Sequence, residues 1–435
     1  MPTTNPASAH VHRQAVIRAG ERPHIIILDI KAFEESLGSR PIFTQKLFVD
    51  AGVQLLRAEN SQTIVLTDCY GRKLPFLTKL RLKAGRVPIL RYNSIHTLAD
   101  PFPYGFYRDH PGQDIRTDKN RDGGNLEDMI RFSKFPFYIS FDQKVKEGRQ
   151  IALPEFTRLI SIMKAFWYRS IEREKLRECI SHLKHTVQIS NIVCIEPGSL
   201  DNSKSMVQHL VLCTIAQELT ELYEQDGRAL RDPIEIVAQD PGYTAVPREF
   251  FLQLPVPIRI TNNPEAFACI NDSSLVMSFN PFIPLRQIIA DLATETPSGK
   301  GPAALFLKGH TDDEKLGNFD LVSYEWTKPF QSINPVTRRY VAMLCNYTKV
   351  MDGKELFGER FNDDFYERMY YCHYPWRRSD ASDADWIKMT GIMDRLANQG
   401  HDTNDTIMEE LGLGFNVDEA LGFSARSYSN ANTGT

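Results

Sequence analysis

Gly198-Ser-Leu-Asp-Asn-Ser203-Lys204-Ser205 follows the G-x-x-x-x-G-K-[ST] phosphate-binding spacing at every position except Ser203. In a true loop of this kind, successive backbone amides and a helix N-terminus cradle a phosphate, the lysine binds it and the hydroxyl holds magnesium. The second glycine matters because its backbone conformation is poorly accessible to a residue with a Cβ. Ser203 stands there instead, and Glu196 and Asp201 add negative charge. Capping of the following helix by Asn202 or Ser203, with Lys204 exposed, is the favoured reading.

Asp240 closes a second strand-like run, a position from which an acidic side chain can hold ribose hydroxyls. Asp-Pro-Gly is also a strong turn former, so a purely structural role competes. Asn280-Pro281 follows a later apolar run, where some methyltransferases carry a catalytic Asn-Pro or Asp-Pro; a rigid strand-to-helix turn is favoured. A wound sheet would bring Glu196, Gly198, Ser199, Asp240, Tyr243 and Asn280 to one crevice, with S-adenosylmethionine or another nucleotide as candidate cofactor. His209 lies in an apolar helix and is a satisfied core or surface group more often than a catalyst. Cys372-His373 lacks metal-ligand spacing, so no metal is expected. Nothing resembles a nucleophile elbow.

These residues need elements to hold them. NIVCI (191–195), IEIVA (234–238), IRIT (258–261), LVMSF (275–279) and AALFL (303–307) are short apolar runs separated by helical stretches, Met206–Tyr223 and Leu285–Leu292 among them. Strands that are apolar throughout and alternate with helices predict a parallel sheet covered on both faces. The fold class is therefore α/β: a Rossmann-like, doubly wound, mostly parallel five-stranded sheet over 190–310. An N-terminal α+β extension (23–100) holds strands HIIILDI (24–30) and TIVLTDCY (63–70), a hairpin after Gly71 and a helix between Thr44 and Leu56. The Pro/Gly/Asp-rich segment 101–124 reads as a linker, 125–189 as a helical lead-in with the stripe Leu159, Ile162, Met163, Phe166 and Trp167, and 311–423 as a helical or irregular extension. Residues 1–22 and 424–435 read as disordered.

Net charge is -4, so no global basic field exists to hold nucleic acid. The seven cysteines are dispersed, as reduced intracellular thiols are, and no apolar run reaches membrane-spanning length. The N-terminus has no apolar core of a secretory signal. A cytoplasmic or nuclear chain acting through protein partners, without membrane or nucleic acid, is the expectation.

NIVCIEPGSL (191–200), QHLVLCTI (208–215), AQDPGYT (238–244) and PEAFACINDSSLVMSFNPFIPLRQIIADL (264–292) occur in an order and spacing that resemble the sensitivity-to-red-light-reduced-like (SRR-like) domain family, fungal members in particular. The resemblance covers about a quarter of the chain. It implies a Rossmann-like domain in a eukaryotic regulatory protein, of a family linked to circadian regulation and to control of haem biosynthesis. It implies no catalytic residues. Where that family commonly has a glycine two residues before Gly-Ser, this chain has Glu196.

Overall fold

The alternation of apolar runs and helices after Ser190 builds the sheet it predicts, as a computed structural model shows. The structure describes residues 25–38, 40–60, 62–78, 86–100, 131–143, 152–200, 202–245, 248–279, 281–308, 320–325, 333–350 and 373–378. The segments read as disordered tails and linker, with Asp201, Asn280 and Cys372, lie outside them. All described residues belong to the compact unit Met1–Asp380.

In chain order the strands are β1 (Ile25–Asp29), β2 (Ile64–Thr67), β3 (Lys73–Phe76), β4 (Arg86–Tyr92), β5 (Phe137–Gln143), β6 (Asn191–Ile195), β7 (Glu235–Gln239), β8 (Ile258–Ile260), β9 (Ser274–Met277), β10 (Ala304–Lys308), β11 (Leu321–Glu325), β12 (Tyr347–Lys349) and β13 (His373–Arg378). The helices are α1 (Ile30–Ser36), α2 (Gln45–Glu59), α3 (Ile95–Ala99), α4 (Leu153–Tyr168), α5 (Ile171–Ser181), α6 (Ser203–Gln225), α7 (Arg248–Phe251), α8 (Leu285–Ala293) and α9 (Arg338–Leu344).

The main sheet runs β12-β13-β10-β9-β6-β7-β8, and the five strands from β10 to β8 are all parallel. Every residue of β6 and β9 is buried, the mark of a strand covered on both faces. Alternation divides them: Ile192, Cys194, Leu275 and Met277 face a core with α4, α5 and α6. Val193, Ile195 and Val276 face α2, α8 and α9. Helix α6 starts with the Asn202 side chain accepting the Ser205 amide at 2.9 Å, so the capping reading holds. Lys204, expected to be exposed, is half-buried.

The flanking regions are more regular and more integrated than their sequences announce. β4 and β5 pair antiparallel from either side of the expected linker, and β1 pairs with β11, almost 300 residues later in the chain. The C-terminal extension adds two strands: β13 lies antiparallel to β10, and β12 antiparallel to β13. Pro375 argues against a strand there, because proline cannot donate to a ladder. The pairing tolerates it because β12 stops at Trp376, leaving Pro375 a paired neighbour on one side only.

Asp291 on α8 ties both extensions to the sheet. Its Oδ2 accepts the Ile42 and Phe43 amides at 2.9 and 3.0 Å, and Oδ1 meets Arg339 Nη1 of α9 at 2.9 Å. Arg339 also donates to the Arg40 carbonyl at 2.7 Å. No helix among the described residues is long and apolar enough to cross a membrane.

Candidate functional site

β6 lies between β7 and β9, so the winding reverses between β6 and β9. In an open parallel sheet, ligands lie beyond the strand carboxyl ends at this reversal, because the two diverging loops leave a crevice there. The turns after β6, β7 and β9 meet at that end. Gly198 and Ser199 follow β6, and Asp240 and Tyr243 follow β7; Asn280 lies outside the described residues.

Local chemistry fixes the first two turns against each other. Gly198 has φ +82°, and a Cβ on it would sit 2.4 Å from Ser205 Oγ. Only glycine fits. Its N–H donates to Asp240 Oδ2 at 2.6 Å, and the Gly242 N–H donates to Asp240 Oδ1 at 2.7 Å. A Cβ on Gly242 would lie 2.9 Å from that of Ser199, so the turns are in contact. Both oxygens of the expected ribose-binding carboxylate therefore accept backbone amides.

Glu196 does the same across the reversal. It is the single non-glycine residue with positive φ among the described residues, at 56°, where a Cβ crowds the following carbonyl. Its N–H donates to the Gln239 carbonyl at 2.8 Å, and its Oε2 accepts the Phe282 amide, in the turn after β9, at 2.5 Å. The carboxylate thus bridges the two strands between which a ligand would enter. Tyr92 reaches this region from β4 and donates to Asn263 Oδ1; burial, and then the charge of Glu196, push its hydroxyl pKa well up. Gln239 Nε2 donates to the same Asn263 oxygen at 3.2 Å, while its Oε1 accepts the Ala266 amide at 3.2 Å. Tyr92 and Asn263 carry no local motif, which is why sequence reading misses them. The Ser278 hydroxyl, just past the end of β9, is buried with no hydrogen-bond partner among the described residues.

Tyr243 turns away from solvent. Its hydroxyl meets His209 Nε2 at 2.7 Å, while His209 Nδ1 lies 2.6 Å from the Ser205 carbonyl. A carbonyl only accepts, so Nδ1 carries the proton and Nε2 accepts from Tyr243. Burial drives the His209 pKa down to about 4, leaving a neutral imidazole. His209 is thus a satisfied core group that pins the β7 turn to α6.

No family model, curated protein or solved structure matches this chain. Among the described residues, no group of three or more His, Cys, Asp or Glu could hold a metal. What the crevice holds is two carboxylates engaged with backbone amides and one buried hydroxyl.

Glu196→Gly tests how the first of these is held. Glycine relieves the left-handed backbone, worth about 1–2 kcal/mol, and removes a charge-assisted hydrogen bond worth about 1.5–3 kcal/mol. Urea unfolding is expected to place the variant within about 1 kcal/mol of wild type. A loss beyond about 3 kcal/mol would show the carboxylate to be a structural keystone instead.

Proposed function

We propose that this chain is an SRR-like regulatory protein of the cytoplasm or nucleus, acting through protein partners on a Rossmann-like scaffold that performs no catalysis. The observation that carries this is the inward use of both crevice carboxylates. Glu196 accepts the Phe282 amide and Asp240 accepts the Gly198 and Gly242 amides, so the loops that would part around a cofactor hold each other instead. The resemblance of residues 191–292 to the SRR-like family supports the same reading.

An enzyme using S-adenosylmethionine is the second reading, favoured by the strand order. A last strand, β13, running antiparallel between β10 and β12 at the end of a parallel β8-β7-β6-β9-β10 run, is by fold analogy alone the sheet of methyltransferases that use this cofactor. Asp240 would then have to take the ribose hydroxyls beside the two amides it already accepts.

Calorimetric titration of the purified chain with S-adenosylmethionine and with adenine nucleotides separates the two. The regulatory reading expects no binding heat at millimolar ligand, and no nucleoside released on denaturation by mass spectrometry. Saturable binding that Asp240→Ala abolishes, with an unchanged circular dichroism spectrum, would replace it with the enzyme reading.

A further inference from the structure

Three aromatic side chains of the N-terminal extension close over one turn of the parallel sheet. Phe48 of α2 stacks on Phe267 at 4.6 Å between ring centres, and Tyr92 of β4 meets the same ring edge-on at 5.9 Å. Phe43 packs against Phe48 at 6.1 Å and against Tyr92 at 6.5 Å. Aromatic pairs in these geometries add to what burial alone contributes. Phe267 follows β8, so the cluster stands beside the carboxyl end of that strand.

The Tyr92 hydroxyl reaches further. It donates to Asn263 Oδ1, in the turn after β8, and the same oxygen accepts Nε2 of Gln239, the last residue of β7, at 3.2 Å. The charge of Glu196, the residue after β6, also acts on this hydroxyl. One phenol from the extension thus sits at the carboxyl ends of three adjacent parallel strands, β6, β7 and β8. In a doubly wound sheet nucleotides lie beyond these ends, with an acidic residue after the second strand on the ribose. Asp240 stands after β7 here. A phenol is a flat aromatic ring with a polar edge, as a nucleobase is, and the side-chain amides of Gln239 and Asn263 can pair with either.

We propose that Tyr92 is a built-in occupant of a nucleoside site, and that the N-terminal extension and a free nucleoside compete for it. This deepens the regulatory reading and rests on it: the crevice takes no cofactor because the chain fills it itself. The extension does not depend on Tyr92 for its attachment. Asp291 holds the Ile42 and Phe43 amides, and the Gln45 side chain donates to the Phe267 and Ile270 carbonyls at 3.4 Å. Removing the Tyr92 ring therefore opens the place and leaves α2 tied to the sheet.

An occupied site binds a competitor with an affinity reduced by the fraction of molecules in which it is open. Calorimetric titration of the full chain with adenosine reads that reduction, with far-ultraviolet circular dichroism confirming each variant's fold. Tyr92→Ala is expected to bind adenosine at least about tenfold more tightly than wild type. Tyr92→Val, which keeps a β-branched residue in the strand, should show the same gain if the alanine variant does not fold. Tyr92→Phe retains the ring and should stay closed like wild type. Adding Asn263→Ala to Tyr92→Ala should abolish the gain, because the base then loses its polar partner. No gain in the folded small-residue variant, an equal gain in Tyr92→Phe, or a gain that survives Asn263→Ala overturns the inference. Saturable S-adenosylmethionine binding by wild type is a separate failure, that of the regulatory reading, and the adenosine series on the Tyr92 variants distinguishes the two.

Discussion

Asp291→Ala is expected to lower stability to urea unfolding by about 3 kcal/mol, the cost of breaking a buried ion pair and orphaning two buried amides. The carboxyl is fully buried, and its removal leaves the Ile42 and Phe43 amides without their acceptor and takes the nearest carboxylate from Arg339. Desolvation raises its pKa to about 6 against the pull of Arg339 and the two amides. The folded chain therefore binds this proton more tightly than the unfolded one. The stability this confers is present below the ordinary value of 3.8 and is lost as pH rises through 6. Subtracting the variant's pH profile from that of wild type should show this falling slope. Pairing Asp291→Leu with Arg339→Met should recover part of the loss, since neither member of the pair is then left facing an apolar partner. If the single variant costs less than about 1 kcal/mol, Asp291 is not the tie between the extensions and the sheet.

His209→Ala should cost about 3–4 kcal/mol, from the cavity left by a fully buried ring and from the orphaned Tyr243 hydroxyl. Its pH signature runs opposite to that of Asp291. A folded pKa of about 4 against an ordinary 6.5 means the unfolded chain binds the extra proton first as pH falls. Stability from this group is complete above 6.5 and declines as pH drops toward 4, by about 3 kcal/mol in all. Chemical denaturation at several pH values should find that wild type loses this advantage over the alanine variant across that window. An unchanged difference from pH 4 to 7 would mean the imidazole titrates normally, and so is not buried as a neutral group. The two side chains oppose each other in one pH range, so wild type alone should show a shallow profile there.

The five parallel strands were legible because each is a short apolar run bounded by turn formers, a pattern two covered faces impose. β4 and β13 were not, since Arg86, Pro88 and Arg91 in one and Pro375 in the other break both alternation and propensity. The glycine at 198 was legible as a turn requirement, but the left-handed backbone at Glu196 was not. That conformation is set by the Gln239 and Phe282 contacts, which a local reading cannot see. Asp240 was placed correctly at the end of its strand. Sequence could not say that both its oxygens would turn to Gly198 and Gly242, because that depends on how closely two turns approach. Asp291, inside an apolar helix, gave no signal at all; its partners lie 249 and 48 residues away.

The position of β13 orders events during synthesis. Among the described residues, β10 finds its outer neighbour in residues 373–378, and β12, made earlier, pairs with β13. A nascent chain that has emerged only as far as Lys349 holds the whole parallel run but presents β10 as an open edge. Such an edge is a template for pairing with other chains. The ribosome itself therefore sets a vulnerable interval, which begins when Lys308 emerges and ends when Arg378 does.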